Sequence, residues 1–295
     1  MWGELFALLA AGAFALSTVL SRRFMIGGPG RPPVSPEAGV FVSMVTNVAV
    51  FGVLTILEAL GGGFQRLTWQ SAALFALGGI GGTLLGRNLA YLSVLRIGPS
   101  RSTAIRLSNT LFAALLGLWW LRELPRGVQI AGAVLITAGL WTVVSERGSQ
   151  RRTFDAGGIL AAVAAAAAFA LGDTSRRVAL GITPQPFIGA SIGAATALAV
   201  QAVWLGTRRL RGSVIGVAWR ADVVGSALGN TAAILLLFLA LQRTTVANAS
   251  VLYNLQVLLV IFLSRRMLRG DESTGRRLVI GSLVCLVGTA AVLFG

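Results

Sequence analysis

Apolar runs of about twenty residues recur from one end of this chain to the other, broken only by short clusters of Arg, Pro and Gly. A run of that length in lipid satisfies its own backbone N–H and C=O groups as an α-helix. The alternating strands of about ten residues that a membrane barrel requires are missing. The runs at 2–21, 39–60, 71–95, 100–121, 126–145, 156–180, 186–206, 222–243, 245–264 and 274–294 predict an all-α membrane protein of ten transmembrane helices. Glu4 precedes the first run and Arg22-Arg23 follow it. That is the reverse of a secretory signal's charge order, so the first helix is expected to be retained.

Composition closes off several chemistries. The chain has no His, a lone Cys285 and no Lys; its 25 basic residues are all Arg, against 10 acidic ones. A His/Cys metal site, a disulfide framework, a Ser/His/Asp or Cys/His triad, a Schiff-base lysine and a P-loop lysine are therefore excluded. No cofactor is expected, and no nucleotide-binding motif builds ATP drive into the chain. A membrane-embedded enzyme acting on lipid phosphate needs clustered carboxylates for a metal. The acidic residues here are dispersed, so the chain reads as no enzyme. A net charge of +15 suits nucleic acid, but the arginines punctuate apolar spans, a pattern of membrane topology. The expected partners are a small-molecule substrate and membrane lipids, not nucleic acid, with a homodimer left open.

The chain repeats itself. Phe14-Ala15-Leu16 followed by Ser21-Arg22-Arg23 returns as Phe169-Ala170-Leu171 followed by Ser175-Arg176-Arg177, at offsets of 155 and 154. Glu123, Gly132 and Gly139 have the same spacing as Glu272, Gly281 and Gly288, and Arg96 follows span 3 as Arg243 follows span 8. Residues 1–145 and 156–295 then form two five-helix repeats joined by a linker loop at 146–155. Five is odd, so the second copy enters the membrane from the opposite face and the repeats are inverted. Secondary transporters are commonly built this way, with the substrate site near the midplane between the halves.

The stretch Leu85-Gly86-Arg87, Tyr91, Arg96-Ile97-Gly98-Pro99-Ser100-Arg101, Thr110-Leu111-Phe112-Ala113-Ala114-Leu115-Leu116 and Glu123 resembles the third-to-fourth span signature of EamA-like members of the drug/metabolite transporter superfamily. The duplicated ten-span layout is similar to that family over nearly the whole chain. The resemblance implies a carrier of a bacterial-type inner membrane that exports small metabolites such as amino acids or organic anions. That family commonly has a proline in span 4, where this chain has Thr110, and span 9 has none. No proline kink is therefore expected in either. Orientation is contested: odd-numbered loops hold 17 arginines and even-numbered loops 6, which puts both termini outside, whereas the resemblance implies both inside.

An ionisable residue deep in a span is costly and marks function. Arg87 in span 3, Arg106 in span 4 and Asp173 in span 6 lie deepest. Counted from the turn near Gly98, the two arginines lie about 11 and 8 residues away, a depth difference of roughly 5 Å, so both are expected to serve one cavity. The repeat provides a control: at an offset of 147 their counterparts are Ile234 and Tyr253, so the scaffold does not require either charge. Their anion is Asp173, a substrate carboxylate or phosphate, or a lipid headgroup. Asp173 is the candidate coupling residue, carrying a proton; Arg176 three residues on offers an ordinary ion pair instead. Asn47, Asn109, Tyr253 and Asn254 are further candidates for substrate binding, with Asn88, Asn230 and Gln256 beside them. Tyr91, Trp119 and Trp120 are wall candidates, although Trp near a span end is more often an interfacial anchor. Gly78, Gly82 and Gly86, and likewise Gly189 and Gly193, form small-residue stripes for close helix packing. A passive channel and a non-transporting membrane subunit are the alternatives to a carrier.

Overall fold

The structure is a computed structural model and describes residues 2–61, 67–120, 126–145, 155–210, 219–241, 243–244, 246–268 and 275–294. In chain order the helices are α1 (Trp2–Ile26), α2 (Pro36–Leu60), α3 (Trp69–Gly78), a π-helical segment (Gly79–Gly86), α4 (Arg87–Ile97), α5 (Pro99–Arg106), α6 (Asn109–Trp120) and α7 (Gly127–Val144). They continue as α8 (Ala156–Ile182), α9 (Pro186–Leu210), α10 (Ala221–Leu241), α11 (Val246–Asn254), α12 (Gln256–Met267) and α13 (Arg276–Phe294). No strand occurs among the described residues. Among the described residues seven helices, α1, α2, α7, α8, α9, α10 and α13, are long and apolar enough to cross a membrane. The rest form three composite runs. α3 passes through the π segment into α4 on unbroken helical backbone, α5 and α6 are parted by Leu107-Ser108, and α11 and α12 by Leu255. Glu123, Glu272 and most of the linker at 146–155 lie outside the described residues.

Helix ends differ from the apolar runs for local reasons. α2 starts at Pro36, three residues early, because the Ser35 hydroxyl accepts from the Ala38 N–H at 3.2 Å and Pro36 fits the first helical position. α1 runs on to Ile26, past the predicted end at 21, because Arg22 does not mark a membrane surface. Its side chain is buried and donates to the carbonyls of Val94, at 3.1 Å, and Leu95. Both lie in the last turn of α4, where Val94 O also accepts the Gly98 N–H at 3.1 Å and a cation meets the negative end of the helix dipole. Arg176, the repeat counterpart of Arg22, donates within the fold to Thr83 Oγ1 at 2.9 Å and Gly78 O at 3.2 Å. Both were counted as loop charges on sequence, so the count overstates the charge that sets topology.

The two halves interlock. α1 packs on α10, α8 on α3, the π segment and α4, α2 on α9, and α7 on α13. Each large contact either pairs equivalent helices or has its counterpart with the halves exchanged. Glycine makes the approaches close. A Cβ on Gly132 would stand 2.7 Å from Gly288 O, and one on Gly139 2.7 Å from Gly281 O, so α7 and α13 run antiparallel. Gly78 and Gly82 face Arg176 on α8, Gly86 faces Phe169, and Gly189 and Gly193 face Phe75 and Gly79. One apolar cluster gathers Phe24, Met44 and Tyr91 with Ala197 and Val223; another gathers Ile105 and Val143 with Val257, Leu278 and Cys285. Both mix the halves. Outside, Trp2, Trp69, Trp119, Trp141 and Trp219 stand exposed at or near helix ends, the arrangement of an interfacial aromatic belt.

Candidate functional site

Between the halves lies a small cavity of about 30 Å³, lined by Phe14, Ser17, Thr18, Ser21, Arg87, Ala90, Tyr91, Val94, Arg106, Phe169 and Asn230. Mostly apolar walls with a few convergent polar groups are the make-up of small-solute sites, and at this size the halves must part to admit one. Arg87 and Arg106, predicted to share a cavity, both line it.

Arg87 is the first residue after the π segment. A π turn is wider than an α turn and shifts the register of everything after it; such segments cluster at functional sites. The counterpart stretch, 226–233 in α10, is α-helical, so the irregularity belongs to the half that carries Arg87. Arg87 is 7% exposed and its Nη1 donates to Ser43 Oγ on α2. Arg106 closes α5. Its Nη2 donates to Thr103 Oγ1 at 3.0 Å, and its Nε is buried with no hydrogen-bond partner. Its Cζ lies over the rings of Phe14 and Phe169, 5.7 and 5.9 Å from their centroids. Among the described residues no carboxylate forms an ion pair with either arginine.

The chain breaks immediately after Arg106 without a proline. Leu107 and Ser108 donate to Ala104 O and Ile105 O, three residues back rather than four. Leu255, at the matching place in the other half, donates to Leu252 O, and Leu258 to Leu255 O. Two tightened 3₁₀ turns thus interrupt equivalent helices, the first directly after Arg106.

Tyr253, the counterpart of Arg106, packs edge-on against Phe14 at 5.8 Å between ring centroids. Asp173 keeps 59% of its side chain exposed and pairs with Arg176 at 3.3 Å. It lies in electrostatic reach of Tyr253, as Arg176 does of Arg87. The amides sort differently. Asn47 is buried and accepts from Thr231 Oγ1 at 2.6 Å, bridging α2 and α10. Asn109 accepts from Thr110 Oγ1 at 3.3 Å, and Asn254 sits half-buried at the end of α11. Asn88 donates to Leu84 O and to Gln201 Oε1 at 2.9 and 3.1 Å. None of these four is among the described lining residues, whereas Asn230 is, with a buried Nδ2 lacking a partner. Sequence reasoning missed Ser17 and Ser226, which bond reciprocally, each hydroxyl donating to the other's carbonyl at 2.7 and 2.8 Å. It also missed Phe14 and Phe169 as wall residues, although the repeated Phe-Ala-Leu triplet marked them.

The model of the EamA-like transporter family matches residues 1–145 and again residues 156–294. The chain belongs to the EamA-like transporter family. With that membership and its apolar helices it is an integral membrane protein, resembling the membrane transporters of its family. No curated protein matches this EamA-like chain. The solved structures that match it include one described as "Crystal structure of protein", with a TM-score of 0.65 and 18% identity, covering 98% of this chain and 94% of that chain. At that identity the likeness shows a common fold.

Proposed function

We propose that this EamA-like protein is a secondary transporter of a small organic anion or amino acid, working as an exporter in a bacterial-type inner membrane. The three composite runs cross the bilayer as the seven long helices do, giving ten spans. Residues 1–145 and 156–295 are inverted repeats joined by 146–155, related by a pseudo-two-fold axis lying in the membrane plane. The antiparallel crossing of α7 and α13 supports this, since two equivalent helices run in opposite directions. The halves rock about the cavity and expose it to each side in turn.

The observation that carries the reading is the pair of guanidiniums of Arg87 and Arg106 in one cavity between the repeats, with no protein carboxylate paired to either among the described residues. A charge held in a membrane interior is retained for a partner, and here the partner is the solute's anionic group. Asp173 is the coupling group, paired with Arg176, whose charge acts on Arg87. The test is counterflow into liposomes holding the purified protein, screened with amino acids, organic acids and phosphorylated metabolites. Saturable uptake stimulated by solute on the opposite side supports the carrier. Single-channel currents would replace it with a pore, and silence toward every solute with a non-transporting subunit.

A further inference from the structure

We propose that Phe14 and Phe169 are positioning residues for Arg106, and that they make the cavity prefer a planar carboxylate to a tetrahedral oxyanion. The inference rests on the reading of this cavity as the solute site. Phe14 and Phe169 are the same residue of the two repeats, and each half sends its ring to one point, the Arg106 guanidinium. A guanidinium laid on aromatic faces keeps its cation–π attraction and turns its N–H edges outward in its own plane. One of those edges carries the buried Nε that has no partner in the protein, while Nη2 already serves Thr103. Arg87 is held to α2 through Nη1 and Ser43; the donor left without a partner inside the protein is the Arg106 Nε.

A carboxylate matches a guanidinium edge, two coplanar oxygens to two coplanar donors; Nη2 carries two hydrogens, gives one to Thr103 and keeps one beside the Nε–H. A phosphate or sulfate can make the same two bonds, but its remaining oxygens stand out of the plane. Those oxygens are pushed toward ring faces that carry negative quadrupole potential. The counterpart of Arg106 underlines the asymmetry of the arrangement. Tyr253 meets Phe14 edge-on at 5.8 Å and brings no cation, so the pair of rings serves a single guanidinium.

The probe is the Arg106 Nε–H resonance of the full-length protein in detergent, assigned in a ¹H–¹⁵N spectrum by its loss in Arg106→Lys. Acetate and inorganic phosphate are titrated separately. Acetate is expected to shift the resonance with a half-saturation concentration at least roughly tenfold below that of phosphate. In Phe14→Leu/Phe169→Leu, which keeps apolar bulk and removes both rings, the ratio falls to about twofold or less; Phe14→Tyr/Phe169→Tyr retains it. Should the double Leu variant not fold, each single Leu variant reads the same ratio. Equal half-saturation in the wild-type protein, a resonance blind to acetate, or a ratio unchanged by loss of the rings overturns the inference. Counterflow in liposomes reads the parent proposal separately. Intact flux with no carboxylate preference rejects this inference alone, whereas preferential acetate binding without flux of any solute supports it and rejects transport.

Discussion

Gly139 of α7 and Gly281 of α13 lie backbone to backbone: a Cβ built on either glycine would stand 2.7 Å from the other's carbonyl oxygen. Gly132 and Gly288 repeat the relationship seven residues along in opposite directions. Because Gly132 is equivalent to Gly281 and Gly139 to Gly288, one contact is the other with the halves exchanged. A self-complementary contact of this kind is what a two-fold axis between the two helices produces.

Gly139→Val places a branched side chain against backbone that has nowhere to move. Overpacking a tight contact costs about 1–3 kcal/mol, and rigid backbone puts this site at the upper end. A lowered unfolding midpoint in detergent is expected, with Gly281→Val giving a similar loss. The half-buried Gly12, whose Cβ would meet nothing within 4 Å, is the control, and Gly12→Ala should not lower the midpoint.

Arg87→Gln and Arg106→Gln each remove a cavity charge while keeping a polar side chain. An unscreened charge-assisted pair with a solute anion is worth about 1.5–3 kcal/mol, so uptake at low solute concentration is expected to fall roughly 10–100-fold for each. Initial rates of counterflow by correctly inserted protein check this.

Arg22→Met keeps the apolar stem and removes the donor to Val94 O and Leu95 O. Val94 O keeps the Gly98 N–H, so Leu95 O is the acceptor left unpaired, at a cost of about 1–3 kcal/mol. A lower unfolding midpoint with an unchanged half-saturation concentration for transport is expected. A changed half-saturation with unchanged stability would move Arg22 from scaffold to site.

Asp173→Asn breaks the ion pair with Arg176, while Arg176 keeps its bonds to Thr83 and Gly78, so the fold should survive the change. The proposed coupling predicts that the variant still exchanges solute for solute but no longer responds to an imposed pH gradient. Uptake measured with and without the gradient separates the two activities.

Much of this architecture is legible in the sequence because lipid tolerates so few backbones. Apolar run length and the Phe-Ala-Leu and Gly-x6-Gly repeats indicated helices and duplication. Arg87 and Arg106 stood out because a cation in an apolar run has few structural excuses. The π segment was not legible: Gly78 to Gly86 reads as an ordinary small-residue stripe, and its packing against α8 and α9 is visible only in the fold. The breaks at Leu107-Ser108 and Leu255 carry no proline or glycine, so nothing local announces them. Asn47 and Asn230 look alike in sequence, yet one bridges helices and the other lines the cavity. Which side of a helix meets the cavity is fixed by its neighbours, not by its own residues.

Everything functional here depends on equivalent helices crossing the bilayer in opposite senses. The direct measurement is the sidedness of Gly127 and Arg276, the equivalent first residues of α7 and α13. In a Cys285→Ser background, Gly127→Cys and Arg276→Cys are labelled in intact cells with a membrane-impermeant maleimide, and again after permeabilisation. The account predicts that one position labels only from outside and the other only after permeabilisation. Labelling of both from the same side would contradict the inverted repeat and the alternating cavity built on it.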